Sequence, residues 1–139
     1  MTASPTVSPF PTPALPVAWG EVFDKLTILQ IKQERIQDAA KRVNVMHELN
    51  EIERVIGDWT RFPVGLTQLV DQLREINAGL WDVEDGKRDC ERRQCFDQHF
   101  IGLARRVYFD NDRRAAVKKQ INLLLGSAIV EEKSYQHYG

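Results

Sequence analysis

The chain has 139 residues, 28% of them charged, with 19 basic side chains against 20 acidic ones. That length supports one hydrophobic core without disulfide or metal staples, and the near balance of charge excludes binding to nucleic acid or an anionic membrane driven by whole-molecule charge. Two cysteines, Cys90 and Cys95, make no disulfide framework, and no apolar run is long enough to span a bilayer, so a reducing cytoplasm is the expected setting.

Residues 1–16 carry five prolines among Ser, Thr and Ala, a composition that favours an extended or disordered tail. Pro9, Pro11 and Pro13 alternate in the manner of an SH3 ligand, but no basic residue flanks them, and the start lacks the basic and apolar regions of a secretory signal. We therefore expect a bland proline-rich tail, 1–16, followed by one helical domain, 17–139. Folding should begin near Trp19 and Gly20. From Glu21 to Gln37, Val22, Leu26, Leu29 and Ile36 share one face while Ile28 and Ile31 occupy a second, so this helix should be central. Lys25 and Lys32 lie seven apart on the Ile28 flank; either their stems snorkel over the core or their ammonium groups take a ligand or a salt bridge.

Asp38 can cap a second helix, in which Val45, Leu49, Ile52 and Ile56 form a single buried stripe, placing it at the bundle edge. Gly57, Asp58 and the Phe62 to Gly65 segment with Pro63 close that helix, so the first two form a hairpin. A third helix should run from Thr67 to Arg92, roughly 39 Å at 1.5 Å per residue. Leu69, Val70, Leu73, Ile76, Leu80 and Val83 line its apolar face, yet Asn77, Glu84 and Lys87 project from the same face. A carboxylate on an aliphatic stripe is costly to bury alone, so Glu84 should meet a cation or donors from another helix, with Arg113, Arg114, Lys25 and Lys32 as candidates. Gly79 and Gly86 belong to no phosphate-loop pattern, and we read no cofactor site. Cys90, Cys95 and His99 lack paired CxxC spacing and a fourth ligand, so we assign no metal.

Phe96 and Asp97 read as staple and cap of a fourth helix, with Ile101 opposite Phe96 and with Phe100, Leu103, Ala104 and Val107 on its core face, ending at Asp110 and Asn111. A fifth helix is expected from Asp112 to the stop at Gly126, followed by a short apolar anchor of Ala128, Ile129 and Val130. On that fifth helix Val117, Ile121 and Leu124 make the buried stripe, with Arg113 at one edge and Arg114 at the other. Cations in a first helical turn oppose the helix dipole by about 0.3–1 kcal/mol, so this pair needs an anion. Asp110 and Asp112, a carboxylate on another helix, or a bound anion would each serve. The fold class is therefore all-α: an antiparallel bundle of about five helices behind a disordered tail.

Gly20, Glu21, Asp24 to Ile28, Lys32 and Arg35, then Leu80, Trp81 and Glu84, then Asn111 to Ala115, Ile121, Asn122, Gly126, Ser127 and Glu131 to Tyr135 together resemble a bacterial domain-of-unknown-function family, numbered sixty-one sixty-five. The resemblance spans residues 17 to 135 and implies no assigned activity or catalytic residue. Members of such families are sometimes attached to tetratricopeptide or glycosyltransferase regions, which implies by association a link to glycan or cell-envelope processes; this sequence carries no such region. Two function classes follow. The first is a non-catalytic helical adaptor or oligomerising module that binds a protein partner or a second copy through its amphipathic surfaces, with Trp19, Trp59 and the C-terminal anchor contributing. The second is a small enzyme or sensor that holds an anionic small molecule between helices through Arg113, Arg114, Lys118, Lys25 or Lys32, with Glu84 as acid or base. Nucleic-acid binding through Arg105, Arg106, Arg113, Arg114, Lys118 and Lys119 is disfavoured, because Asp110 and Asp112 dilute the patch and no recognition motif accompanies it.

Overall fold

The structure, a computed structural model, describes residues 9–138. The first half of the expected tail, residues 1–8, lies outside the described residues, and residues 9–17 carry no helix or strand and are exposed. Four α-helices follow: α1 (Trp19–Arg35), α2 (Ala39–Ile56), α3 (Leu66–Arg93) and α4 (Gln98–Leu125), with a short 3-10 turn at Trp59–Arg61 between α2 and α3. Among the described residues there is no strand. The all-helical class is as expected; the number of helices is not.

The correction lies in the last third of the chain. The expected break at Asp110 and Asn111 does not exist, and α4 runs unbroken through it for 28 residues. Asp110 is buried within the helix, where its carboxylate accepts from Arg106 at 3.3 Å and Arg113 at 3.5 Å. These i,i+4 and i,i+3 pairs support a helix interior as readily as a polar cluster supports a cap, and neither Gly nor Pro is present to force a stop. Arg113 and Arg114 therefore sit well inside a helix and feel no first-turn dipole.

The starts of α2 and α4 follow their caps. The Asp38 side chain accepts from the Lys41 amide at 3.0 Å, and Asp97 accepts from His99 and Phe100 at 3.1 and 3.3 Å. The backbone donors at Asp97 hold its carboxyl below the usual range, Phe100 first among them. Phe96 stacks edge-on against Phe100, with ring centroids 5.2 Å apart, instead of closing on Ile101. Gly126 ends α4 in the left-handed conformation (φ 62°), as expected of a C-terminal glycine, and the Ser127 amide donates back to the Asn122 carbonyl at 2.8 Å.

Apolar surface on two sides makes α1 the central element: it packs against α2, α3 and α4 in turn. Phe23, Leu26 and Leu29 are almost fully buried with Leu49 and Ile56 from α2, Leu66, Val70 and Leu73 from α3, and Val117 and Ile121 from α4. Trp19, Phe23, Trp59 and Phe62 interlock at one end with centroids 5.3–6.1 Å apart, so Trp19 packs against the core while Trp59 covers its edge and stays 40% exposed. Arg42 closes the other end of α1 by donating to the carbonyls of Gln33 and Ile36. Gly20 is where α1 meets α4 most closely: a Cβ there would lie 2.6 Å from the Lys118 carbonyl oxygen.

Length mismatch shapes the rest. With 17 residues α1 spans about 25 Å, whereas α3 and α4, at 28 residues each, span about 42 Å. Arg35, the last residue of α1, pairs with Asp82 of α3 at 2.6 Å, so the α3–α4 hairpin beyond that level projects as a two-helix arm. Val83 and Cys90 are its fully buried side chains, and Gly86 lets Leu103 approach α3.

Candidate functional site

Where α1, α3 and α4 meet, the sequence places an acid on the second face of α1. Gly20, Asp24, Thr27 and Ile31 recur at i, i+4, i+7 and i+11, so Asp24 must enter the interior, and it is 3% exposed. Burial of a lone carboxylate is costly, and three side chains answer it. Arg114 of α4 grips it in a two-pronged pair, Nε to Oδ1 at 2.9 Å and Nη2 to Oδ2 in a very short contact. Asn77 of α3 donates to Oδ1 at 2.9 Å and, through the same amide nitrogen, to the Thr27 hydroxyl at 2.9 Å. Lys118 lies 3.8 Å away. The Asp24 hydrogen bond raises the Arg114 guanidinium above its ordinary basicity against the opposing effect of burial.

Lys118 links this cluster to the C-terminal segment. Its side chain is 12% exposed, and its ammonium contacts Glu21 of α1 closely and lies 3.7 Å from Glu131. Lys133 donates to Glu131 at 3.1 Å, and together with a hydrogen bond to Glu21 and the charge of Lys118 it holds the Glu131 carboxyl below its usual value. Further along the same segment, Tyr138 packs against Tyr108 and Phe109 with centroids 5.2 Å away and donates its hydroxyl to Asp112. The residues after Gly126 thus form a strap over α4. The apolar anchor expected at Ala128, Ile129 and Val130 is exposed, and ions and aromatic rings hold the strap instead.

The residues selected from the sequence scatter about this centre. Arg114 and Lys118 meet in it. Arg113 does not: its side chain is 65% exposed and turned to Asp110. Lys25 snorkels and pairs with Glu48 of α2 at 3.5 Å, both well exposed. Lys32 is half-buried with no ion pair among the described residues. Glu84 meets Lys87 of its own helix at 3.4 Å and remains 47% exposed, so the expected cross-helix partner among Lys25, Lys32, Arg113 and Arg114 is corrected. The stripe that carries Glu84 passes the end of α1, where the third helix needed to enclose it is missing. The acid that was missed is Asp24, together with Glu21 and Asn77; the signal was the i, i+4, i+7, i+11 face just described.

Beside the cluster a cleft of about 420 Å³ opens between α1, α3 and α4. Ile28, Ile31 and Leu80 contribute its apolar surface, Trp81 a wall, and Glu84, Asp85, Arg88, Asn111 and Arg114 its polar lining, with Asn77 at the join to the cluster. Arg35, paired with Asp82, lies over the Trp81 ring at 5.9 Å and braces it.

Comparison with known protein families matches residues 15–138 to a family of unknown function, DUF6165. The chain belongs to that family. The match runs from the segment before α1 through the strap to Tyr138, so every side chain of the cluster and cleft lies inside the DUF6165 domain. No curated protein and no solved structure matches the chain. Among the described residues no helix is long and apolar enough to cross a membrane, and no group of His, Cys, Asp and Glu side chains is arranged to hold a metal ion.

Proposed function

We propose that the protein is a non-catalytic helical interaction module that docks a protein partner, or a second copy of itself, through the projecting α3–α4 arm. The observation that carries this reading is that Phe96, Ile101, Tyr108 and Phe109 are each about 40–50% exposed, Tyr108 and Phe109 even with Tyr138 of the strap packed against them. Ile101, Tyr108 and Phe109 recur at i, i+7 and i+8, one side of α4, which is the pattern of a helix-docking seam. The central ions support a structural role: Asp24 and Glu21 occupy Nε and Nη2 of Arg114 and the Lys118 ammonium, so an anion seated between those same atoms would have to displace two carboxylates of the chain itself. Free Cys90 and Cys95 suit a reducing cytoplasm, and the glycan or cell-envelope setting implied by the family resemblance is the first place to seek a partner.

Light scattering over a range of concentrations, together with cross-linking in cells, tests the reading. Wild-type protein should form a dimer or a complex of defined stoichiometry, and Ile101→Glu with Phe109→Glu should abolish it while leaving helicity unchanged. A monomer at every concentration, with the same cross-linked neighbours for wild type and variant, refutes the proposal.

A further inference from the structure

We propose that the cleft between α1, α3 and α4 binds a small zwitterion, a free amino acid with an apolar side chain. The cluster next door has used its polar groups internally; in the cleft only Glu84, which meets Lys87 at 3.4 Å, the Asn77 nitrogen and one edge of Arg114 are engaged. Asp85, Arg88 and Asn111 have no hydrogen-bond or ion partner among the described residues. The Asn77 amide is oriented by Asp24, which can only accept, so its nitrogen points to Asp24 and Thr27. Its oxygen accepts from no described residue, and because no buried side-chain oxygen among those residues lacks a partner, that oxygen reaches the open cleft. Arg114 commits Nε and Nη2 to Asp24 and leaves Nη1 free of any described partner.

Both signs of charge therefore line one cavity. Glu84 and Asp85 offer carboxylates and Asn77 a carbonyl oxygen, the set that holds an ammonium group; Arg88 and the free edge of Arg114 offer the N–H donors that hold a carboxylate. Ile28, Ile31 and Leu80 provide the apolar surface for a hydrocarbon side chain, and Trp81, braced by Arg35, stands ready without reordering. The cavity, about 420 Å³, is at the small end of ligand sites and suits a ligand of this size with its water. A simple anion would face Glu84 and Asp85, and a simple amine would face Arg88, so each loses part of what a zwitterion gains. The site takes Glu84, Asp85 and Arg88 from the base of the arm but none of the exposed Phe96, Ile101, Tyr108 and Phe109 side chains, so it is tested separately from the docking reading.

The test is a titration of the full chain, followed through the Trp81 indole and Asn111 amide resonances. L-Leucine and L-phenylalanine serve as zwitterions, 4-methylpentanoate as the carboxylate alone and isoamylamine as the amine alone. At least one amino acid should give saturable shifts with a Kd on the order of 1 mM or tighter, and the singly charged analogues should bind at least about tenfold more weakly. Arg88→Gln and Glu84→Gln, both on open helix surface, should each weaken amino-acid binding with the fold intact. The first should narrow the gap to the amine and the second the gap to the carboxylate. Absence of saturable shifts with both amino acids overturns the proposal, as does equal binding of all four compounds or binding indifferent to both variants.

Discussion

Replacing Asp24 by Asn changes one atom's chemistry and should be among the most damaging isosteric substitutions in the chain. The aspartate accepts three N–H bonds, two from Arg114 and one from Asn77, with Lys118 3.8 Å away. Asparagine keeps one acceptor oxygen and sets an NH2 group against a donor, whichever way the amide turns. The variant loses the ion pair and at least one charge-assisted bond, and leaves Arg114, only 29% exposed in its side chain, without its counter-charge. Breaking such a pair from one side costs about 3–4 kcal/mol. Against a typical domain stability of about 5–15 kcal/mol, and at roughly 4 °C per kcal/mol for this size, Tm should fall by about 12–16 °C. Urea unfolding followed by far-UV circular dichroism measures the loss directly. The control is the exchange Asp24→Asn with Asn77→Asp, which returns one carboxylate to the same junction and should recover part of the deficit. A loss below about 1 kcal/mol for Asp24→Asn, or an exchange variant no better than the single one, would mean that the cluster is solvated and the reasoning about its burial wrong.

Two glycines separate close backbone contact from loose side-chain contact. Gly20→Ala puts a methyl group 2.6 Å from the Lys118 carbonyl and 2.9 Å from the Asn122 side-chain oxygen, so it should cost about 2 kcal/mol by thermal melt as α1 is pushed off α4. Gly86→Ala meets only the Leu103 methyl at 2.9 Å, which can rotate away, and the helix-propensity gain of about 1 kcal/mol should leave stability within about 0.5 kcal/mol of wild type. The strap should follow pH at both ends. The Tyr138 pKa is raised by its bond to Asp112, so that contact is complete below the ordinary tyrosine value of about 10 and lost as pH rises through the raised one. The Glu131 pKa is lowered, so its contribution is present above the ordinary glutamate value of about 4.3 and lost as pH falls through the lowered one. Hydrogen exchange of residues 127–138, corrected for intrinsic rates, should speed up outside that window; protection unchanged at both extremes would show the strap held by something else.

What could be read from the chain alone followed local chemistry, and what could not depended on lengths. Asp38, Asp97 and Gly126 marked their helix ends because each satisfies free backbone groups with its own atoms or conformation. Asp110 and Asn111 misled because a polar cluster reads the same whether it caps a helix or ties one turn to the next; Arg106 and Arg113, four before and three after Asp110, decide for continuity. Glu84 was given too much weight and Asp24 too little for one reason. A stripe on a sequence says which residues share a face but not how far a neighbouring helix covers that face. Val83 carries the apolar pattern of α3 past the level where Arg35 ends α1, so Glu84 looked enclosed, while Asp24, within the central helix, is enclosed by α3 and α4.

The same mismatch of lengths explains why a charged cluster stands where apolar side chains would pack well. Apolar contacts along α1 tolerate sliding: Leu26 or Leu29 can find similar surface one turn, about 5.4 Å, further along α3. Asp24 cannot, because a one-turn slip would carry it away from Arg114 and Asn77 together and leave a buried charge uncompensated on both sides. Asp24, Arg114 and Asn77 therefore disfavour a one-turn slip, and in this register Arg35 meets Asp82. That meeting point decides how much of the α3–α4 hairpin projects, and it brings Ile28 and Ile31 opposite Leu80 and Trp81 to form the cleft. Arm and cleft, the two surfaces proposed to bind, thus share a register with one buried aspartate.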